Sequence, residues 1–235
     1  MKKNWILVFD SGNGGKHTME QIRAYLPHEN YILFMDKTNC PYGNKSKHKL
    51  KKIVTKTIKK VVQKYDVKLV VIACNTISSI FGTYLQKTFY ETPFVFVLPI
   101  VESHILHKPT LILSTKNTAK YNKNLKIYKK RKNVYVYGFS NLAKMIDDSD
   151  GDCEKLQPYL DKKLKKYVNK NIQNVVLGCT HFNYIKEQIS TAIKSQVSFY
   201  ENSKNVCIKV KDILVAAGKF SRKKTKGEII EICHI

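Results

Sequence analysis

Arginine is nearly missing from this chain. Arg23, Arg131 and Arg222 are the only three, although Lys and Arg together number 42 against 18 Asp and Glu, for a formal net charge of +24. Arginine reads phosphates and base edges better than lysine does, so its scarcity speaks against a dedicated nucleic-acid surface, and no recognisable nucleic-acid module is present. Lysines recur through Lys45–Lys60, Lys120–Lys132, Lys162–Lys170 and Lys219–Lys226. The plain reading is a solvated basic surface, with a nucleic-acid partner as the alternative. No apolar run approaches the roughly 20 residues of a membrane span. The start, Met1-Lys2-Lys3-Asn4 and then Trp5–Phe9, imitates a signal peptide only briefly. Asp10 ends the apolar run and no small-residue cleavage site follows, so a cytoplasmic protein is expected. Also lacking are a CxxC pair and any cysteine at zinc-finger spacing to a histidine pair, so free thiols are expected in a reducing compartment.

The 235 residues are enough for one large domain or two small ones, and 43% hydrophobic content is ordinary for a globular protein. Strand-like and helix-like segments alternate. Strands are predicted at Trp5–Phe9, Tyr31–Met35, Lys68–Ala73 and Phe94–Leu98, with helices at Thr18–Leu26, Ser46–Tyr65 and Thr76–Phe89 between them. The second half repeats the theme. Its strands are at Thr110–Leu113, Asn133–Tyr137, Asn174–Leu177 and Val197–Tyr200, and its helices at Gln157–Asn169 and Phe182–Ser195. Val206–Ala217 reads as a terminal helix, followed by a frayed Lys-rich end. The pattern predicts an α/β protein of two pseudo-symmetric parallel-sheet units with a site in the cleft between them. The expected division is 1–93 plus 205–235 for the first unit and 94–204 for the second.

Two cysteines end matching apolar runs. Cys74 follows Val70-Val71-Ile72-Ala73 and precedes Asn75-Thr76; Cys179 follows Val175-Val176-Leu177-Gly178 and precedes Thr180-His181. Each run reads as a buried parallel strand delivering a thiol to a helix start, where unpaired N–H groups favour a thiolate. The offset from Cys74 to Cys179 also carries Asp10 to Thr115, inside the polar turn after the second half's first strand. Two matches at one offset argue for paired units. Ligands bind beyond the carboxyl ends of such strands, so Asp10, Cys74, Thr118 and Cys179 are expected to converge. One lone cysteine would be a small buried hydrophobe, the reading given to Cys40, Cys153, Cys207 and Cys233. A matched pair reads instead as a base and an acid that move a proton across a carbon centre. Asp10 opens the glycine-rich turn Asp10-Ser11-Gly12-Asn13-Gly14-Gly15, where a carboxylate could tune a thiol or orient an ammonium group. His181 could assist proton transfer, and Tyr42 of Pro41-Tyr42-Gly43 could line a pocket.

Phe9-Asp10-Ser11-Gly12-x-Gly14-Gly15, Pro41-Tyr42-Gly43, Ala73-Cys74-Asn75-Thr76 and Leu177-Gly178-Cys179-Thr180-His181 stand in this order over nearly the whole chain. In these four motifs the chain resembles the glutamate racemases of the aspartate/glutamate racemase superfamily. The resemblance implies a cofactor-independent two-base reaction on glutamate that supplies D-glutamate for peptidoglycan, with no metal or pyridoxal phosphate. It implies that Cys74 acts on the D-enantiomer and Cys179 on the L-enantiomer, assisted by Asp10 and His181. Asp10, Ser11, Pro41, Tyr42, Gly43, Asn75, Thr76, Thr118, Thr180 and His181 would contact the substrate. It further implies a homodimer, and some similar racemases are credited with a second role on DNA gyrase. The chain departs from the family pattern at Asn13, usually apolar. It departs again at Lys144-Met145-Ile146-Asp147, where Asp147 stands near the family's glutamate, and it is somewhat short at its C-terminal end. The alternatives are a racemase for aspartate or another amino acid, and a basic nucleic-acid-binding protein that kept the fold.

Overall fold

The run Trp5–Asp10 is buried along its whole length and forms β1, the strand around which the first sheet is built. In the computed structural model, which describes residues 4–235, the chain continues through α1 (Gly15–Tyr25), β2 (Asn30–Met35), α2 (Lys47–Lys64), β3 (Val67–Ile72), α3 (Asn75–Thr88) and β4 (Phe94–Phe96). Then come β5 (Thr110–Thr115), α4 (Lys116–Tyr121), α5 (Lys123–Tyr128), β6 (Val134–Phe139), α6 (Leu142–Asp148), α7 (Gln157–Leu164) and β7 (Asn174–Gly178). The last elements are α8 (Lys186–Ile193), β8 (Ser198–Tyr200), α9 (Ser203–Ala216) and β9 (Ile229–Ile232). Met1–Lys3, the basic start of the signal-like segment, lie outside the described residues.

Among the described residues every strand pair is parallel. The first sheet runs β4-β3-β1-β2-β9 and the second β6-β5-β7-β8. The order β4-β3-β1-β2 therefore recurs as β8-β7-β5-β6, the duplication that the shared offset predicts. Because β4 pairs with β3, it belongs to the first sheet rather than to the second half where the sequence division at 94 placed it. We propose a division after Phe96, with α9 and β9 returning to the first unit.

Strand periodicity explains the layers. Ile6 and Val8 pack with Met19 and Ile22 of α1 and Val206 and Val210 of α9 on one face. Leu7 and Phe9 pack with Leu50, Val54 and Ile58 of α2 and Phe81 of α3 on the other. Ser46 caps α2 by accepting from the Lys49 N–H, and the lysines of that helix stand on its outer face. Part of the lysine excess covers tyrosine rings: Lys47 lies 4.1 Å from the Tyr121 ring centroid and Lys51 4.1 Å from that of Tyr84. No helix among the described residues is long and apolar enough to cross a membrane.

The Lys-rich end is not frayed throughout. Ile229–Ile232 adds β9 to the edge of β2, and Tyr31 N–H donates to the Glu228 carbonyl at 2.9 Å. The apolar run is too short to stand out among its charged neighbours, but a ready strand edge supplies its backbone partners. The segment before it is held by a buried ion pair. Lys68 Nζ meets Glu29 Oε2 at 2.5 Å, with both side chains at most 3% exposed, while Ser221 N–H donates to Glu29 Oε1 at 2.8 Å. Glu29→Ala would leave the Lys68 charge buried and unpaired, and is expected to cost roughly 3–5 kcal/mol. Urea denaturation of the variant, against a Glu29→Leu/Lys68→Met double variant that loses less, checks this.

Candidate active site

Asp10 ends β1 and is fully buried. Its Oδ1 accepts from Ser11 N–H at 2.6 Å, Ser11 Oγ–H at 3.2 Å and Gly12 N–H at 3.3 Å. Its Oδ2 accepts from Thr180 Oγ–H of the second unit at 3.0 Å. Burial nonetheless dominates and raises its pKa above the ordinary carboxylate value, against the opposing pull of His181 and these donors.

A second bridge runs the other way. Thr115, at the end of β5, lies 2.8 Å from Thr76 Oγ1, and its hydroxyl is 2.9 Å from that of Thr118. Each unit's leading strand thus reaches the residues just past the other unit's cysteine. Asp10 was expected to have its counterpart at Thr115, and the two hold these crossed positions.

Cys74 caps α3 with its sulfur 3.6 Å from Ser11 Oγ. The thiolate expected at a helix start does not prevail. Burial first, and the nearby Asp10 charge second, push the thiol up to about 12, beyond what the Ile77 N–H and Ser11 can offset. Cys179 precedes a six-residue 3-10 segment, Thr180–Ile185, rather than the start of the helix predicted from Phe182; the regular helix α8 begins only at Lys186. Packing decides this, because Phe182 and Ile185 are wholly buried in the second core.

His181 Nδ1 lies 3.8 Å from Cys179 Sγ, and Nε2 lies 3.2 Å from Asp147 Oδ2. Burial works against a charged ring, but Asp147 and the Cys179 and Cys40 sulfurs outweigh it and hold His181 well above the ordinary imidazole value. Burial would raise Asp147, yet His181 wins and lowers it. A side chain on Gly14 would put its Cβ 2.7 Å from the His181 backbone N and ring, so only glycine admits His181 here.

The remaining expected residues are near but differently engaged. Ser11, Asn75, Thr76, Thr118 and Thr180 are all buried. Asn75 Nδ2 donates to the Val97 carbonyl at 3.2 Å. Tyr42 follows the cis Cys40–Pro41 peptide and donates its hydroxyl to Asp36 Oδ2 at 2.5 Å. Gly43 packs on Thr115, and Asn117 Nδ2 donates to the Tyr42 and Lys45 carbonyls at 3.0 and 2.9 Å. Sequence reasoning missed Asp36, although it follows β2 as Asp10 ends β1. It also read Cys40 as a core thiol, whereas Cys40 Sγ lies 3.6 Å from Asp147 Oδ2 beside His181. Cys40, Asp147 and His181 form the one group among the described residues with ligand atoms close enough to hold a metal ion. All six cysteines are free.

Two parallel-sheet units that each bring a thiol to one buried polar seam have the build of an amino-acid racemase. No family model matches the chain. Curated relatives do: the glutamate racemase of Clostridium acetobutylicum is 30% identical over 99% of this chain and 88% of its own length. That of Clostridium novyi is 30% identical over 94% and 87%. The crystal structure of the Francisella tularensis glutamate racemase in complex with D-glutamate superposes with a TM-score of 0.81 at 26% identity, covering 98% of this chain and 88% of that one. The chain belongs to the glutamate racemase family.

The raised His181 and lowered Asp147 set a pH window. A raised histidine stabilises the fold fully below its unfolded value near 6.5 and loses that contribution as pH rises through its folded value. The lowered Asp147 contributes above its unfolded value near 3.8 and loses this as pH falls through its folded value. The stability gap between wild type and Asp147→Asn is therefore expected to be widest between those limits and to close toward alkaline pH. Denaturation midpoints measured across pH check it.

Proposed function

We propose that the chain interconverts L- and D-glutamate by proton transfer between Cys74 and Cys179, without a cofactor, and so supplies D-glutamate for peptidoglycan. The observation that carries this is the pair of thiols at equivalent strand ends, each with its own polar partner chain. Cys74 reaches Asp10 through Ser11, with 3.6 and 3.2 Å between successive atoms. Cys179 reaches Asp147 through His181, at 3.8 and 3.2 Å.

The two chains do different work. Asp10, raised by burial, is a competent acceptor for the Cys74 proton by way of the Ser11 hydroxyl. The resulting thiolate takes the α-proton of D-glutamate, and the electron pair left on the α-carbon delocalises into the substrate carboxylate. Cys179 then donates its proton from the opposite face, giving L-glutamate. In reverse, Cys179 is the base, with the His181 ring 3.8 Å from its sulfur. Cys74, a thiol at rest, is then the donor. Thr76, Thr118 and Thr180 would meet the substrate's amino and carboxylate groups. A cytoplasmic homodimer is part of the same proposal and rests on family membership.

Purified protein in deuterium oxide is expected to exchange the α-proton of both glutamate enantiomers and to leave aspartate far slower. Cys74→Ser and Cys179→Ser should each lower interconversion by about 10²-fold or more. Unchanged rates in either variant would overturn the two-thiol reading, and faster turnover of aspartate would overturn the substrate. Ser11→Ala is expected to slow exchange from D-glutamate more than from L-glutamate, measured by proton NMR.

A further inference from the structure

We propose that Cys40, Asp147 and His181 form a binding site for a thiophilic divalent cation of the zinc type, and that its occupancy inhibits the enzyme. The three side chains come from separate elements: the loop after β2, the helix α6 and the turn after β7. Their ligand atoms all lie within 4.8 Å of one another. Cys40 Sγ is 3.6 Å and His181 Nε2 is 3.2 Å from the same oxygen, Asp147 Oδ2. Sulfur, nitrogen and oxygen ligands on a tetrahedral zinc ion stand about 3.3–3.5 Å apart, so these pairs already have the spacing a metal requires. The donor set of one thiolate, one imidazole and one carboxylate suits zinc and excludes magnesium and calcium as good occupants.

Two further observations fit. Asp147 Oδ1 is buried and has no hydrogen-bond partner among the described residues, which leaves a second carboxylate oxygen free for the ion. The donors also converge on the bare face of Gly12: a Cβ there would lie 2.6 Å from Asp147 Oδ2, 2.8 Å from His181 Nε2 and 3.2 Å from Cys40 Sγ. A surface pocket lined by Asn13, Ile146, Asp147, Asp150, Gly151 and Tyr184 leads to Asp147 from outside. The His181 Nδ1 side faces Thr180 Oγ1 at 3.4 Å, the outer partner that orients a metal-bound imidazole.

When the ion binds, the Cys40 thiol proton and one proton of the His181 ring leave to buffer, and the Asp147 hydrogen bond to the ring is replaced by metal bonds. With Nε2 bound to the ion, the His181 ring that lies 3.8 Å from Cys179 Sγ is fixed by the metal instead of by Asp147. The loop carrying Tyr42 and Gly43 is also tied to the second unit. The inhibitory half of the proposal rests on the racemase reading of His181; the site itself does not.

Equilibrium dialysis against zinc chloride, with metal content measured per chain, tests the site. One zinc per wild-type chain is expected, with affinity at least about tenfold lower in Cys40→Ala and in Asp147→Ala, the least that loss of an outer partner costs. Cobalt in place of zinc should give a thiolate-to-metal absorption band that Cys40→Ala removes and Cys74→Ala keeps. Equal zinc binding by wild type and Cys40→Ala would overturn the site, as would a band lost in Cys179→Ala but kept in Cys40→Ala. Circular dichroism of each variant establishes that it is folded. Racemisation with and without zinc, each variant against its own zinc-free rate, should show inhibition reversed by chelator in wild type and lost in Cys40→Ala. Stoichiometric binding through Cys40 with no inhibition would uphold the metal site and overturn its inhibitory role.

Discussion

The buried Asp10 carboxylate is the interaction on which this molecule turns. One oxygen closes the glycine-rich turn after β1 by taking the Ser11 and Gly12 N–H groups, and the other takes the Thr180 hydroxyl from the facing unit. A carboxylate without water must be satisfied by such donors. Satisfying it draws the turn before α1 against the turn after β7. Gly14, His181 and Cys179 come into register through that contact, and the Asp10 charge in turn helps keep Cys74 protonated.

Backbone duplication and chemical asymmetry coexist here. The strand order of one sheet repeats in the other, and the thiols occupy equivalent strand ends. Their partners do not repeat. Cys74 faces a hydroxyl and a carboxylate; Cys179 faces an imidazole and a carboxylate. A racemase needs no more symmetry than this, since each enantiomer presents its proton to one face only. The bare geometry of a helix start would have made Cys74 acidic, yet desolvation of its buried sulfur exceeds what one helix end supplies.

Much of the fold was legible because buried parallel strands read as continuous apolar runs. Val70–Ala73 and Val175–Gly178 announced themselves in that way, as did the helical spacing of Leu50, Val54 and Ile58. Misreadings fell where tertiary contacts override local signals. Ile229–Ile232 needed the free edge of β2. Phe182 and Ile185 needed the second core to hold a 3-10 segment. β4 needed its pairing with β3 to reveal which sheet it joins.

By itself, the sequence determined the alternation of strands and helices, the doubling of the unit, the two thiols and the family to which their motifs belong. These are properties of local order: periodicity, spacing and residue type along one strand or turn. Only the tertiary structure decided that Cys40 and Asp36 join the site, that Asp147 stands against His181 and holds it above the ordinary imidazole value, and that Cys74 rests as a thiol. Those outcomes depend on burial and on charges from distant segments, and neither desolvation nor a Coulomb interaction between residues 147 and 181 can be read from the spacing of either.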